Sequence, residues 1–401
     1  MSRPRIAIIG GGPAGLIAAE MLAESCQVRL YEQARTLGRK FLVAGEGGLN
    51  ITNRADREEL FRHYEPRDRM LPLMEAFGSA QLRAWLADLG VPTFIGSSGR
   101  VFPENGIKPA EVLKAIVDRL GAKGVHLHLQ HAFVGFDASA TPLIEHEGQQ
   151  AAIEADQYLF ALGGASWAKT GSTGSWTEHF EALGVRVLPF AASNCGVVLE
   201  MPEALRVHHG KPLKNIRITA GDRSFRGEAT LTEHGMEGNA VYPVVPAVRE
   251  ALARGEAAEL IIDLKPDLTE AELERKLVGA AWKERMAAVK LDRVQVALLK
   301  AFTPMHKFID GSTLIQDVKS LRVPVRGLRP IDEAISTVGG IPWSELNEDL
   351  SLTQHPRIFI AGEMIDWDAP TGGFLLQGCF ATGRYAANAM KNAQAKGPEN
   401  G

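Results

Sequence analysis

Four consecutive apolar residues near the start, Ile6, Ala7, Ile8 and Ile9, have the pattern of a short strand covered on both faces. An Ala-rich helical stretch over 14–25 follows, and residues 27–32 read as a second strand. Further buried strands are predicted at 157–162 and 357–363, and a strand ending in a tight turn at 334–340. Residues 125–129 alternate Val125, Leu127 and Leu129 with His126 and His128, the pattern of a half-exposed strand. Amphipathic helices are predicted at 73–89 and 109–120, a further helix ends at Leu183, and a long one runs from 373 to about 391. Around Pro189 the pattern changes. Short strands at 215–219, 260–264 and 322–325 alternate with helices at 244–254, 268–284 and 292–302. Thr269 and Glu272 have the spacing of a capping box, with Leu268 and Leu273 placed as its staple.

The fold class this implies is α/β, a Rossmann-like dinucleotide-binding domain split by an inserted β-rich domain with a small helical subdomain. The boundaries fall at 1–190 for the first part, 191–335 for the insertion (its helical part about 243–310), 336–394 for the closing part and 395–401 for a tail.

Glycines mark the site. Gly10, Gly12 and Gly15 separate the first strand from the first helix, which opens on Pro13 and Ala14. Gly10 makes the tight turn, Gly12 lets a pyrophosphate approach the backbone, and Gly15 lets helix and strand pack closely. The diphosphate then sits on the free N–H groups of the helix. The second strand ends in Glu32, 22 residues past Gly10, where a carboxylate accepts the hydroxyls of an adenosine ribose and disfavours a 2′-phosphate. Residues 38–53, with several glycines and two asparagines around Phe41, Leu42 and Val43, read as an extended loop pressed against the ligand. A second Gly-Gly turn at Gly163 and Gly164 follows a buried strand, and Gly372 and Gly373 open the last helix.

Composition narrows the possibilities. A net charge of −4 over 401 residues gives no polybasic signal, so neither nucleic acid nor an anionic membrane is an expected partner. Three widely spaced cysteines, Cys26, Cys195 and Cys379, make no disulfide framework or metal motif, and His126 with His128 lacks further ligands, so no metal is expected. No secretory signal and no membrane-length apolar run is legible, and the expected location is cytoplasmic.

Four ordered motifs carry a family resemblance: the Gly10–Gly12–Gly15 turn with Glu32, the loop from Gly38-Arg39-Lys40 to Asn53, Ala161-Leu162-Gly163-Gly164, and Ala361-Gly362-Glu363 through Asp366 to Thr371-Gly372-Gly373. Over nearly its whole length the chain resembles the two-dinucleotide-type FAD flavoproteins, and within them the aminoacetone-oxidase-like family, which includes a bile-acid-type enone reductase. The resemblance implies non-covalent FAD held by Gly10, Gly12, Pro13, Ala14, Gly15, Glu32, Gln33, Ala161, Gly163, Gly164 and Gly362, with Glu363 reaching the ribityl or pyrophosphate region. Arg39, Lys40, Gly45, Gly48, Asn50 and Thr52 would wrap the isoalloxazine, with the Gly372-Gly373 backbone at its pyrimidine edge and Asp366 and Phe374 as further cofactor-binding residues. The chain departs from the family's usual Ser-Gly-Gly-Gly-Arg-Cys-Asn, reading Ala44-Gly45-Glu46-Gly47-Gly48-Leu49-Asn50, and from its Thr-His-x-Gly-x-Ser-Gly-Pro at 232–239, which sets it on a separate branch.

The implied activity is that of an FAD-dependent oxidoreductase on a small organic substrate, either an oxidase or a reductase using NADH or NADPH as a transient donor. Catalytic candidates are Lys40 (against flavin N5 or a phosphate), His234 as an acid or base, and Trp367 as a pocket wall; Glu46 is either a base in the flavin loop or a solvated charge. A flavin-dependent tRNA-modifying enzyme and a non-catalytic flavin-binding protein are the other readings of the same fingerprint. The sequence leaves the oligomeric state open.

Overall fold

The structure is a computed structural model that describes residues 3–45, 48–104, 106–279, 284–310 and 313–395. The chain folds as two units. One comprises the residues up to Ala191 and those from Ser336 onward; the other is Ala192–Ile335.

In the first unit, strands Arg5–Ile9, Gln27–Glu32, His126–Leu129, Gln157–Phe160 and Ile358–Ile360 form one parallel sheet. Its order is 358–360, 157–160, 5–9, 27–32, 126–129, with the opening strand in the centre. That position explains the unbroken apolar run, since Ile6, Ala7, Ile8 and Ile9 are all buried. The helix Pro13–Leu22 is buried from Ala14 to its end because the last helix, Phe374–Ala395, lies across it. Gly383 makes this crossing close, for a Cβ there would stand 2.2 Å from the Ala14 carbonyl oxygen. The Rossmann-like α/β class is therefore the observed one, with the strands' carboxyl ends opening on the Gly10 turn.

Two predicted elements take different forms. The single helix expected over 73–89 is two, Arg67–Ala76 and Ser79–Asp88. Phe77 leaves helical geometry, and Gly78 starts a new helix whose Gln81 side chain accepts the Gly78 N–H. The expected extended loop at 38–53 contains a helix, Arg39–Ala44. Gly38 (φ 61°) makes the turn into it, Phe41 is buried beneath it, and Gly45 stops it against Pro109.

The second unit is a closed barrel of six strands, Val197–Leu199, Gly235–Glu237, Arg223–Leu231, Pro212–Ala220, Ala258–Asp263 and Leu321–Leu328 in spatial order. Closure gives every strand a paired neighbour on both sides. Alternation along the strands sends Ile216, Ile218, Leu260, Ile262, Val323 and Val325 inward. Most of its helices lie between strands 258–263 and 321–328; the first of these, Glu270–Leu277, begins on the Thr269–Glu272 capping box. No helix among the described residues is long and apolar enough to cross a membrane.

Candidate dinucleotide cleft

The sheet's carboxyl ends open into a cleft enclosing about 1050 Å³ of atom-free space, adjoining solvent included. Gly10 (φ 111°) turns the chain out of the sheet, and a Cβ there would stand 2.2 Å from the Ala161 carbonyl oxygen. Gly15 is pressed on Gly10, with a Cβ position 2.0 Å from its carbonyl oxygen. Gly12 is different. Its φ of −83° and ψ of −178° suit any residue, and nothing lies within 4 Å of the Cβ it lacks. The N–H groups of Gly12 and Ala14 find no hydrogen-bond partner among the described residues, so the helix presents its positive end to open space. These features fit a dinucleotide's pyrophosphate.

Glu32 lies alongside. Its Oε2 accepts the Gly11 N–H at 2.9 Å and its Oε1 the Ala34 N–H at 2.8 Å. Each oxygen keeps a lone pair for a ribose hydroxyl. Gln33 Nε2 donates to the Gly171 carbonyl at 2.8 Å, and the Arg39 guanidinium to the Lys169 carbonyl at 2.9 Å. These bonds anchor a strap, 167–175, along the cleft. Deeper in, Lys40 Nζ lies 2.8 Å from both Ser166 Oγ and Glu363 Oε2. Cys379 adjoins this pair, and burial pushes its thiol far above the usual range, with the Glu363 carboxylate adding to the effect and Lys40 opposing it. It is consequently a poor nucleophile.

Pro13, Ala14, Ala161, Gly163 and Gly362 also line this cleft. Gly164 packs on Thr337, and a Cβ there would come 2.1 Å from Thr337 Oγ1. Asp366 accepts the Gly339 N–H at 2.9 Å.

The residues predicted around a flavin ring form a second group in the same unit. Asn50 Nδ2 donates to the carbonyls of Thr52 and Val101, while its buried Oδ1 has no partner. Thr52 Oγ1 donates to Gln377 Oε1 at 2.7 Å, and Asn53 Nδ2 to the Gly372 carbonyl at 3.1 Å. Gly373 (φ 96°) rests on the Thr52 backbone, where a Cβ would meet the carbonyl at 2.4 Å. The helix starts at Phe374, whose buried ring meets Tyr64 edge-on and whose carbonyl accepts the Tyr64 hydroxyl at 2.7 Å. Burial raises the Tyr64 hydroxyl well above its usual pKa. Gly48 (φ 111°) lies near Phe102, and Gly45 packs away from the group, on Pro109.

The other two catalytic candidates are Trp367 and His234. Trp367 is 4 % exposed, lies against Gly378, and its indole N–H donates to the Gly362 carbonyl at 2.9 Å. His234 belongs to the barrel unit, on the turn after strand 223–231, with Nε2 3.2 Å from Glu233 Oε1. Glu46 lies outside the described residues.

Sequence reasoning passed over His131 and Phe133, which line the cleft on the Glu32 side, and the hydroxyl-rich strap. The strap had a visible signal in Gly171-Ser172-Thr173-Gly174-Ser175; His131 had none, because it reaches the cleft only through the pairing of strand 126–129 with 27–32. Among the described residues no group of three or more His, Cys, Asp or Glu is arranged to hold a metal ion.

Comparison with known proteins adds a family. Residues 4–389 match the HI0933-like protein Rossmann domain. The chain is 23% identical over 407 residues to the 3-dehydro-bile acid delta(4,6)-reductase of Clostridium scindens, covering 96% of this chain and 98% of that one. It is also 23% identical over 398 residues to the ribosomal RNA dihydrouridine synthase of Escherichia coli, covering 94% and 95%. Among solved structures, the 3-ketosteroid-delta4-(5alpha)-dehydrogenase of Rhodococcus jostii shares the fold with a TM-score of 0.51 at 15% identity, over 97% of this chain and 96% of that one. The 3-ketosteroid delta1-dehydrogenase of Sterolibacterium denitrificans does so with a TM-score of 0.54 at 13% identity, over 97% and 99%. With its opening strand, its Gly10 turn and most of its closing helix inside the matched span, the chain belongs to the HI0933-like Rossmann-domain family.

Proposed function

We propose that the cleft binds FAD non-covalently and that the protein is a flavin-dependent reductase of a carbon–carbon double bond conjugated to a carbonyl. One observation carries the cofactor assignment: Gly12 has ordinary dihedrals and empty space in front of it, so nothing in the described fold demands a glycine there. A ligand pressed on the backbone does. Glu32 supplies the ribose acceptor, the free N–H groups of Gly12 and Ala14 take the pyrophosphate, and Lys40 with Glu363 faces the ribityl stretch. Asn50, Thr52, Gly372 and Gly373 flank the ring.

Bound FAD supplies hydride exchange; the chain supplies binding, orientation and field. The direction of the chemistry rests on the relatives' names. A delta(4,6)-reductase of a 3-dehydro bile acid and a dihydrouridine synthase both add hydrogen across a double bond near a carbonyl. NADH or NADPH serves as a donor that docks transiently, because the sequence has a single dinucleotide fingerprint. The aminoacetone-oxidase-like reading reverses the electron flow at the same site. An RNA substrate is the second reading, favoured by the dihydrouridine synthases at the same identity as the bile-acid enzyme.

Anaerobic mixing of holoprotein with NADH and NADPH tests the direction. The reductase reading expects one nicotinamide to bleach the flavin and an α,β-unsaturated ketone to restore its colour. Bleaching only by amines or alcohols would make the protein an oxidase. Recolouring by a uridine-containing ribosomal RNA fragment, with the ketone inert, would select the RNA reading.

A further inference from the structure

Arg100 opens strand Arg100–Pro103, which pairs antiparallel with Thr52–Asn53 and Thr93–Ile95. Its side chain is half-buried, yet no carboxylate or carbonyl among the described residues accepts from its guanidinium. It is held over Gly372, with Nε 3.6 Å from the Cβ position that glycine leaves empty and Asn53 Nδ2 4.0 Å from the same point. Gly372 (φ 105°) stands two positions before the first residue of the 22-residue closing helix. The N–H groups of Gly372, Gly373 and Phe374 find no hydrogen-bond partner among the described residues, although Gly373 and Phe374 are buried. A cation, an amide donor and a helix's positive end therefore meet at one place without a counter-charge among the described residues. An electron-rich oxygen placed among them would be attracted by all three.

We propose that Arg100 is a positioning residue for the N1–C2=O edge of the flavin, stabilising the negative charge that reduction places there. The assignment rests on the FAD reading above. Hydride delivers two electrons and one proton to N5; the ring then carries one negative charge, delocalised over N1 and the C2 oxygen. A fixed guanidinium beside that edge favours the reduced state over the neutral oxidised one. Arg100 thus sets electron affinity as a positive charge beside the ring and takes no part in proton transfer. Its reach to Gly372 is fixed by the strand pairing of Arg100 with Asn53, so the charge is delivered by a sheet rather than by a free loop.

Sulfite tests this without substrate. It adds to N5 of oxidised flavin with its own electron pair and leaves the same negative charge on N1–C2=O, with no oxidant or reductant required. Arg100→Met and Arg100→Gln remove the charge, and Arg100→Lys keeps it with a different geometry. The holoproteins should retain FAD, shown by their visible spectrum. The dissociation constant for sulfite should rise at least tenfold in the Met and Gln variants and by less in the Lys variant, and the flavin potential, read by dye equilibration, should fall in the same order. FAD-loaded Met or Gln variants with an unchanged potential and a sulfite constant within twofold of the parent would overturn the assignment. Loss of turnover with both of those unchanged would also overturn it, and would move Arg100 to the substrate. A parent protein that carries no FAD would overturn the cofactor reading itself, and this assignment with it.

Discussion

Two glycine turns stand at the N-termini of the two helices that cross in the first unit, and they differ in what each glycine is for. At the Gly10 turn, Gly10 and Gly15 are demanded by packing, while Gly12 faces open space in a conformation any residue adopts. At the closing turn, both glycines have positive φ, and Gly373 lies on the Thr52 backbone at a distance no Cβ permits. Similar spelling therefore hides two demands. In the proposed reading the first turn keeps a glycine for a ligand; the second keeps one so that a strand and a helix can touch.

The comparison makes its largest prediction at the closing turn. Gly373→Ala should destabilise the protein by about 3 kcal/mol, the sum of overpacking and left-handed backbone strain. Thermal unfolding of the purified variant measures it, and a loss below ~1 kcal/mol would show that the contact relaxes freely.

Glu32→Gln comes next. It removes the charge that strengthens hydrogen bonds from ribose hydroxyls, each worth about 1.5–3 kcal/mol. FAD affinity of the deflavinated protein should fall at least tenfold by fluorescence titration. Because Glu32 also accepts the Gly11 and Ala34 N–H groups, the variant's melting temperature belongs beside that measurement.

Gly12→Ala should separate ligand from fold most cleanly. Stability should stay within about 0.5 kcal/mol, the range of substitutions that disturb no contact. FAD binding should weaken about tenfold, equivalent to ~1.4 kcal/mol. Unchanged affinity would mean that the pyrophosphate does not lie against Gly12. The smallest effect is expected for Tyr64→Phe, which deletes the buried bond to the Phe374 carbonyl at the start of the closing helix. It should cost about 1 kcal/mol in unfolding free energy, with FAD affinity intact.

Legibility in the sequence follows the range of the interactions involved. The opening strand, the Gly10 turn and Glu32 were readable because their signals lie within one strand–turn–helix–strand segment. The helix Arg39–Ala44 was not, since the glycines around it suggested a loop while burial of Phe41 decided the outcome. The barrel was only half readable. Strands 212–220, 258–263 and 321–328 alternate visibly, but 223–231 carries Arg223, Arg226, Gly227 and Glu228, and takes its form from its partners. At the site, Trp367 could be placed near the closing helix by sequence, but which way its ring turned depended on Gly378, eleven positions later and one helix away. His131 and Arg100 reach their places only through strand pairing, which no local pattern announces.

The claim on which the rest depends is that the Gly12 cleft holds FAD. Heat denaturation of the purified protein, followed by chromatography of the supernatant, tests it directly. The account predicts intact FAD, released in near-equal amount to the chain. FMN in its place, colour retained on the precipitate, or a protein that neither carries FAD nor takes it up would contradict it.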